Sequence, residues 1–173
     1  KASNVIPDYA ACEFTVRAQT ISYLLKMVED LKRLAKVSAE MIGATVKIGM
    51  DHAPYAERYP NHVMGETFKK NMARLGVEMQ YPDPKVPVGS SDIGNVSMVV
   101  PAIHEYLAIA DPSVNSHTVE FRDAAGSAKG DQAALLGAQG LAMTALDIFT
   151  DPALRQEIQK EFAASVPHQE TAG

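Results

Sequence analysis

The N-terminal part of the chain carries a strand, helix and strand pattern that limits what it can fold into. Residues 9–18 alternate between apolar and polar side chains, and residues 44–50 alternate again. A period of two indicates strands with one buried and one exposed face. Between them a helical period begins at Thr20 and stops at Gly43, where a glycine can end a helix. The pattern predicts a small sheet with one face covered by a helix and the other face open.

A second region follows residues 51–60, which are interrupted by Pro54 and Pro60. We place a boundary there, with one domain piece at residues 1–52 and another at residues 53–173. The second piece contains an apolar run that predicts a buried strand, and three helical patterns. The strand is predicted at 99–110, and the helices at about 61–75, 130–149 and 152–164, with Gly137 and Gly140 allowing close packing against a sheet.

Charge and composition exclude several classes of protein. The net charge of −5 argues against nucleic-acid binding, which needs a basic surface. Cys12 is the one cysteine, so no disulfide can form within the chain, which indicates a reducing compartment. No run approaches the ~18 apolar residues of a membrane helix, so we expect a cytoplasmic protein without a membrane partner. Because Lys1 leads almost directly into a predicted strand, we expect a processed or truncated protein.

Histidines are the first candidates for metal binding or catalysis. His104 and Glu105 could begin a zinc-binding helix, but that motif needs a second histidine one helical turn later, and Ala108 stands there. His117 lies in a polar loop after the predicted buried strand, where α/β enzymes place ligands. The residue pattern leaves two interpretations of His117 open: a metal-binding or catalytic group, or an ordinary loop histidine.

Two further groups of residues have both a functional and a structural interpretation. The stretch Gly89–Asp92 places two hydroxyls and a carboxylate beside a glycine, which can cradle an anion or orient a carbonyl. By itself, however, the stretch favours an ordinary turn with Asp92 as an Asx cap. Arg17 can grip a substrate carboxylate through a two-point contact, or it can form a surface ion pair with Glu13.

Taken together, these motifs resemble the metal-dependent amidohydrolase family, which includes succinyl-diaminopimelate desuccinylase, aminoacylase, aminobenzoyl-glutamate hydrolase and β-alanyl-lysine dipeptidase. The resemblance runs from about Asn4 to Phe162 and is nearest to the aminobenzoyl-glutamate hydrolase and β-alanyl-lysine dipeptidase branch. The motifs that carry it are Asn4-Val5-Ile6-Pro7 with the strand ending in Arg17, Gly89–Asp92 with Gly94-Asn95-Val96-Ser97 and Val99-Val100-Pro101, residues 115–120, Ala124-Ala125-Gly126-Ser127, and residues 141–147.

The resemblance implies a fold and a set of residue roles. The chain would be the C-terminal part of a two-domain metallopeptidase: half of an α+β lid (dimerisation) domain, followed by the C-terminal part of the α/β catalytic domain. His117 would be a ligand to one of two divalent metal ions, with zinc expected. Ser90 and Asp92 would serve catalysis, by stabilising the oxyanion and organising the loop. Asn4, Arg17 and Ser91 would bind a small amide or dipeptide substrate that ends in a carboxylate, within a homodimer formed through the lid.

The departures from the family pattern are as informative as the matches. The other ligands of the family are an early His-x-Asp, a bridging Asp and a Glu-Glu pair, all upstream of the lid and none of them in this chain. Three protein ligands are usual for a catalytic zinc, so His117 by itself does not suffice. We therefore expect the parent enzyme to hydrolyse an amide or peptide bond, and the isolated chain to be inactive and to bind no zinc tightly. The alternative is a non-catalytic dimerisation module or small-carboxylate-binding module derived from that family.

Overall fold

The computed structural model describes residues 4–81 and 89–167 of the chain. The chain divides into two units, Lys1–Glu57 (unit 1) and Arg58–Gly173 (unit 2). Both units are helical where they have regular secondary structure. The assignment of the two parts to a lid domain and a catalytic domain, with a boundary at residues 52 and 53, stays a prediction.

Unit 1 contains one long helix, α1 (Ile21–Met41). Thr20 caps its N-terminus by accepting a hydrogen bond from the backbone N–H of Tyr23. At the other end Gly43 has a φ of +67°, and the N–H groups of Gly43 and Ala44 donate to the carbonyls of Glu40 and Ala39. This pair of bonds is a Schellman cap, which needs a left-handed residue and therefore favours glycine. The predicted start and stop of this helix are confirmed.

Residues 58–81 and 89–167 of unit 2 form five helices, and the two that the predictions omitted are short. Helix α2 begins after Asn61, whose side chain accepts from the N–H of Met64, and ends before Gly76, which has a φ of +80°. Asp151 caps the last helix, which has proline at its first position. The five helices are α2 (His62–Arg74), α3 (Ile93–Ser97), α4 (Val119–Ala125), α5 (Ala128–Thr150) and α6 (Pro152–Ser165).

The core of unit 2 forms where α2 packs against α5 and α6. Phe68 and Met72 of α2 and Ile158 of α6 are buried there. Gly140 of α5 permits the close approach, because a Cβ at this position would lie 2.3 Å from the Sδ of Met72 and 2.9 Å from Cε2 of Phe68. The prediction that Gly140 packs closely is confirmed, but its partner is the helix α2 and not a sheet.

The predicted strands are not formed in the described part of the chain. Within residues 4–81 and 89–167 the structure has one isolated parallel bridge, Pro60 with Ala102, and no strand. Residues 9–18 and 44–50 are non-helical and mostly exposed. The predicted burial of 99–110 is wrong for most of the segment, since Ala102 is buried whereas Val99 is 71 % exposed. A strand forms only when a neighbour satisfies its backbone groups, and the alternating pattern alone does not supply one.

Helix α5 is apolar on two opposite sides. One side packs on α2 through Gly140 and Thr144, which are buried. The opposite side exposes Leu135, Leu146 and Phe149. With 23 residues, α5 is long and apolar enough to cross a membrane by length and composition alone, a test that core helices of soluble proteins also pass. The expected absence of a membrane partner and the cytoplasmic location stay predictions.

Candidate functional site

The Gly89–Asp92 loop lies immediately before α3. The hydroxyl of Ser91 lies 3.1 Å from Oδ1 of Asp92 and accepts a hydrogen bond from the N–H of Ile93 at 3.3 Å. Asp92 makes no side-chain capping bond to α3. The interpretation of the loop as a turn capped by Asp92 is therefore wrong, since the cap-like bond comes from Ser91. The side chains of Ser90 and Asp92 are exposed, so both are accessible to a ligand.

The segment that opens unit 2 contacts the first residue of this loop and the helix α3 that follows it. The Arg58 guanidinium donates from Nη2 to the carbonyl of Gly89 at 2.7 Å. The N–H of Tyr59 donates to the hydroxyl of Ser97 at 3.0 Å, and that hydroxyl donates to the carbonyl of Gly94 at 2.7 Å. Two residues on, the N–H of Asn61 donates to the carbonyl of Ala102 at 2.9 Å. Residues 58–61 thus fix the backbone on either side of α3.

Ser97 is the best-buried polar residue of this arrangement, and it is 2 % exposed. Its hydroxyl uses both its donor and its acceptor capacity, which is how a buried hydroxyl avoids an unsatisfied polar group. Neither Arg58 nor Ser97 was among the predicted site residues. Ser97 is the last residue of the family-like motif Gly94-Asn95-Val96-Ser97. Its position in the sequence, however, does not predict the hydrogen bond that its hydroxyl accepts from the N–H of Tyr59.

His117 has an unusual backbone conformation. Its φ is +67°, and it is the sole non-glycine residue with a positive φ in the described part of the chain. The next residue, Thr118, caps α4 by accepting from the N–H of Phe121 and donates its hydroxyl to the carbonyl of Asn115. The left-handed region costs an L-residue about 1–2 kcal/mol, and such strain concentrates at functional sites. The imidazole is exposed at this bend.

The remaining predicted site residues lie in unit 1. Asn4 is exposed in a turn, and Arg17 lies at the end of the exposed segment 9–18, shortly before the cap residue Thr20. The structure brings Ser91 and Asp92 together with Ser90 in one loop, and it places His117 in the same unit. The predicted proximity of His117 to Ser90–Asp92 stays a prediction, as do the substrate roles of Asn4, Arg17 and Ser91.

Two carboxylates near these loops have shifted acidities. The pKa of Asp111 is lowered, because the hydroxyl and the N–H of Ser113 both donate to its Oδ1, at 2.6 and 2.9 Å. Asp111 is thereby kept ionised at the start of the loop that leads to His117. The pKa of Glu105 is raised by burial of its carboxylate, although the residue as a whole is exposed. Its Oε1 lies 3.5 Å from where a Cβ of Gly65 would stand.

The donor set does not amount to a metal centre. Among the described residues, 4–81 and 89–167, no three His, Cys, Asp or Glu side chains are grouped closely enough to hold a metal ion. A catalytic zinc commonly has three protein ligands and a structural zinc has four. The side chains present fit one ligand position, at His117, and not a complete site.

The chain is similar in sequence to two mammalian proteins. The chain is 34 % identical to the mouse protein named Xaa-Arg dipeptidase over 96 % of its own length, and 36 % identical to the human protein of that name over 92 %. The similarity supports a dipeptidase family. No protein-family model matches the chain. The chain spans 39 % and 37 % of the length of these two relatives, so it corresponds to less than half of either.

The expectation of a dipeptidase-type hydrolase agrees with the names of these two relatives. Metal dependence, the homodimer and the inactivity of the isolated chain remain predictions.

Proposed function

We propose that this chain is the C-terminal part of a metal-dependent dipeptidase that hydrolyses the amide bond of a small dipeptide or N-acyl amino acid. The near-complete alignment of the chain with two proteins named Xaa-Arg dipeptidase supports this proposal. Dipeptides that end in arginine are accordingly the first substrates to test. Amide hydrolysis needs donors for the oxyanion and a group that positions the substrate, and this chain supplies candidates for both.

The observation that carries the proposal is the Gly89–Asp92 loop. Arg58 anchors its first residue, and the Tyr59–Ser97–Gly94 bonds anchor α3, which follows it, while Ser90 and Asp92 stay exposed. A loop that is anchored at its first residue and carries exposed polar groups can contribute donors for oxyanion stabilisation once substrate covers it. In the proposed reaction the Ser90 hydroxyl donates toward the developing negative charge, and Asp92 keeps Ser91 oriented through their 3.1 Å contact.

The metal assignment concerns one ligand only. We assign His117 as the C-terminal ligand of one of two divalent ions, expected to be zinc, with the remaining ligands on other parts of the parent protein. When bound, such ions supply Lewis-acid activation of the scissile carbonyl and of the attacking water. The left-handed backbone at His117 supports the assignment, because residues with such strained backbone conformations cluster at active sites and ligand-binding sites.

The substrate carboxylate is assigned to Arg17 and Asn4. A guanidinium presents paired donors that match a carboxylate, whereas an amide side chain offers a weaker, single contact. Ser91 is assigned to the same substrate.

The test uses the full-length parent protein with an arginine-terminated dipeptide. His117→Ala should lower the bound metal by one ion per subunit and reduce kcat by at least about 100-fold. His52→Ala is the matched control, since His52 is also an exposed histidine, and it should leave both values unchanged. A parent protein that cleaves no dipeptide, or a His117→Ala variant with full metal content and activity, would refute the proposal.

A second candidate is a non-catalytic module that forms dimers or binds a small carboxylate. The exposed apolar side chains of α1 and α5, including Met41 and Phe149, favour association. The isolated chain should then form oligomers in light scattering and show neither amidase activity nor tight zinc binding. If the coding sequence also begins near Lys1, the module becomes the better description; a longer coding sequence with the missing acidic and histidine ligands removes it.

A further inference from the structure

The Arg58 guanidinium connects two segments that the sequence keeps far apart. Its Nη2 donates to the carbonyl of Gly89 at 2.7 Å. Its Nη1 donates to the hydroxyl of Tyr106 at 3.4 Å and lies 3.4 Å from Nδ1 of His104. The His104 and Tyr106 rings lie beside each other, with their centroids 4.8 Å apart. One nitrogen of the guanidinium thus faces the loop, and the other faces this pair of rings.

The geometry suits arginine and no other side chain. The guanidinium is planar and always charged, and its donors point in fixed directions. When Nη1 is held by His104 and Tyr106, the direction of Nη2 is set as well, which leaves little freedom in the bond to Gly89. A charged donor also makes a shorter and stronger hydrogen bond than a neutral one, in agreement with the 2.7 Å distance. The Gly89 carbonyl is therefore anchored at a defined place.

We propose that Arg58 is a positioning residue for the reaction: it fixes the Gly89 carbonyl and thereby orients the peptide that carries Ser90. The inference rests on the function proposed above for the Gly89–Asp92 loop. Among the residues that the structure describes, none has an atom within 4 Å of where a Cβ of Gly89 would stand, so no side-chain packing holds this position. The bond from Arg58 restrains its carbonyl, and losing that bond should loosen this end of the loop.

The other hydrogen bonds made by residues 58–61 should survive the loss of the Arg58 guanidinium. Tyr59–Ser97 and Asn61–Ala102 are backbone-anchored bonds that do not involve the guanidinium. The far end of the loop and α3 would stay in place, while the Gly89 end would become mobile. A purely structural arginine would instead change stability without changing the chemical step. The two roles therefore predict different outcomes for kcat, KM and local exchange.

The test compares two arginines in the full-length protein. Arg58→Met removes the donors and keeps a long side chain, and Arg58→Lys keeps the charge without the fork. Arg155→Met is the matched control, because the Arg155 Nη1 also donates to backbone carbonyls, those of Ile148 and Phe149 at 2.7 and 2.8 Å, at the α5–α6 junction. Steady-state kinetics on an arginine-terminated dipeptide, thermal unfolding, and hydrogen exchange of residues 89–97 are measured for each variant.

Arg58→Met should lower kcat about 10- to 100-fold with KM changed less than about twofold, because positioning acts on the transition state. Arg58→Lys should recover part of the loss. Exchange at residues 89–92 should rise in Arg58→Met, whereas Arg155→Met should keep the wild-type kcat and the wild-type exchange of this loop.

Equal kcat values for Arg58→Met and Arg155→Met in an active enzyme would overturn the positioning role and leave the proposed function standing. An unchanged exchange rate at residues 89–92 in Arg58→Met would also overturn it. A wild-type protein that cleaves no dipeptide would refute the proposed function, and the positioning role with it.

Discussion

The two long helices of this chain, α1 in unit 1 and α5 in unit 2, are nearly equal in length and differ in how they are packed. Helix α1 has 21 residues, caps at both ends and no buried residue. Helix α5 has 23 residues and buries Gly130, Gly140 and Thr144. Local signals are therefore sufficient to define where a helix begins and ends, whereas burial depends on what packs against it. Four of the five buried apolar residues of the described chain lie in unit 2, and unit 1 contributes Ala56.

The largest expected effect separates the two units directly. Phe68→Ala, at a residue 2 % exposed in unit 2, should lower the free energy of unfolding by about 3–5 kcal/mol, because it opens a cavity against Gly140. Phe14→Ala, at a residue 71 % exposed in unit 1, should change it by less than about 0.5 kcal/mol. Urea unfolding followed by circular dichroism measures both, and equal losses would contradict the contrast between the units.

A buried polar network sharpens the contrast within unit 2. The Asn71 amide donates to Asp147 at 2.7 Å and to Thr144 at 3.3 Å, and Arg74 donates to its carbonyl oxygen at 3.2 Å. Asn71→Ala should cost about 1–3 kcal/mol, because buried groups lose their partners. Since Asp147 shares the network, the double variant Asn71→Ala/Asp147→Ala should cost less than the sum of the single ones. Additive losses in denaturant unfolding would show that the two residues act independently.

The helix starts offer a like-for-like comparison, because a distant glutamate caps a helix in each unit. The Glu161 carboxylate accepts from the N–H groups of His62 and Val63, both at 2.9 Å, whereas Glu57 accepts from Ile21 at 2.7 Å. Glu161→Ala should cost about 1 kcal/mol, and Glu57→Ala should cost less. Glu157→Ala, on the exposed side of α6, is the control and should have no effect. A larger loss from Glu57 than from Glu161 in thermal unfolding would reverse the expected order.

The smallest expected effect is a pH dependence in unit 2. Burial raises the pKa of Glu105, so the folded chain holds that proton more tightly than the unfolded chain does. The contribution to stability is full below the unfolded pKa and is lost as pH rises through the folded pKa. Glu105→Gln should therefore be slightly more stable than wild type at neutral pH and equal to it in acid, by a few tenths of a kcal/mol at most, about the scale of a solvent-screened group. Unfolding curves at both pH values measure the difference, and a loss at neutral pH would contradict it.

The features that the sequence predicted are those set by short-range chemistry. The start of α1 at Thr20 and the left-handed glycines at 43 and 76 follow from capping rules that involve a few neighbouring residues. A strand needs a partner strand that is distant in sequence. The alternating residues 9–18 and 44–50 are non-helical and mostly exposed in the structure. Alternation describes which side chains would share a face, but it does not say what the backbone pairs with.

The candidate site divides in the same way. Motifs located the Gly89–Asp92 loop and His117, because they depend on residue identity in order along the chain. The residues that hold the loop, Arg58 and Ser97, were missed because Arg58 lies between prolines that suggested a mere boundary and contacts Gly89 across 31 positions. Contacts of this kind leave no local trace in one sequence. The left-handed φ of His117 was likewise not predicted, since a positive φ is uncommon in any residue other than glycine.

Helix α5 illustrates why hydropathy cannot assign a helix to its surroundings. Averaging over the helix adds the small residues of one side to the leucines and the phenylalanine of the other, and the sum resembles that of a lipid-spanning segment. The two sides nevertheless differ in the size of their side chains. Gly140 leaves a groove that Met72 and Phe68 fill. On the other side, large side chains project outward: Leu135, Leu146 and Phe149. A partner for the outer side must therefore offer holes, so side-chain size around the helix, rather than mean apolarity, defines the kind of surface that can cover it.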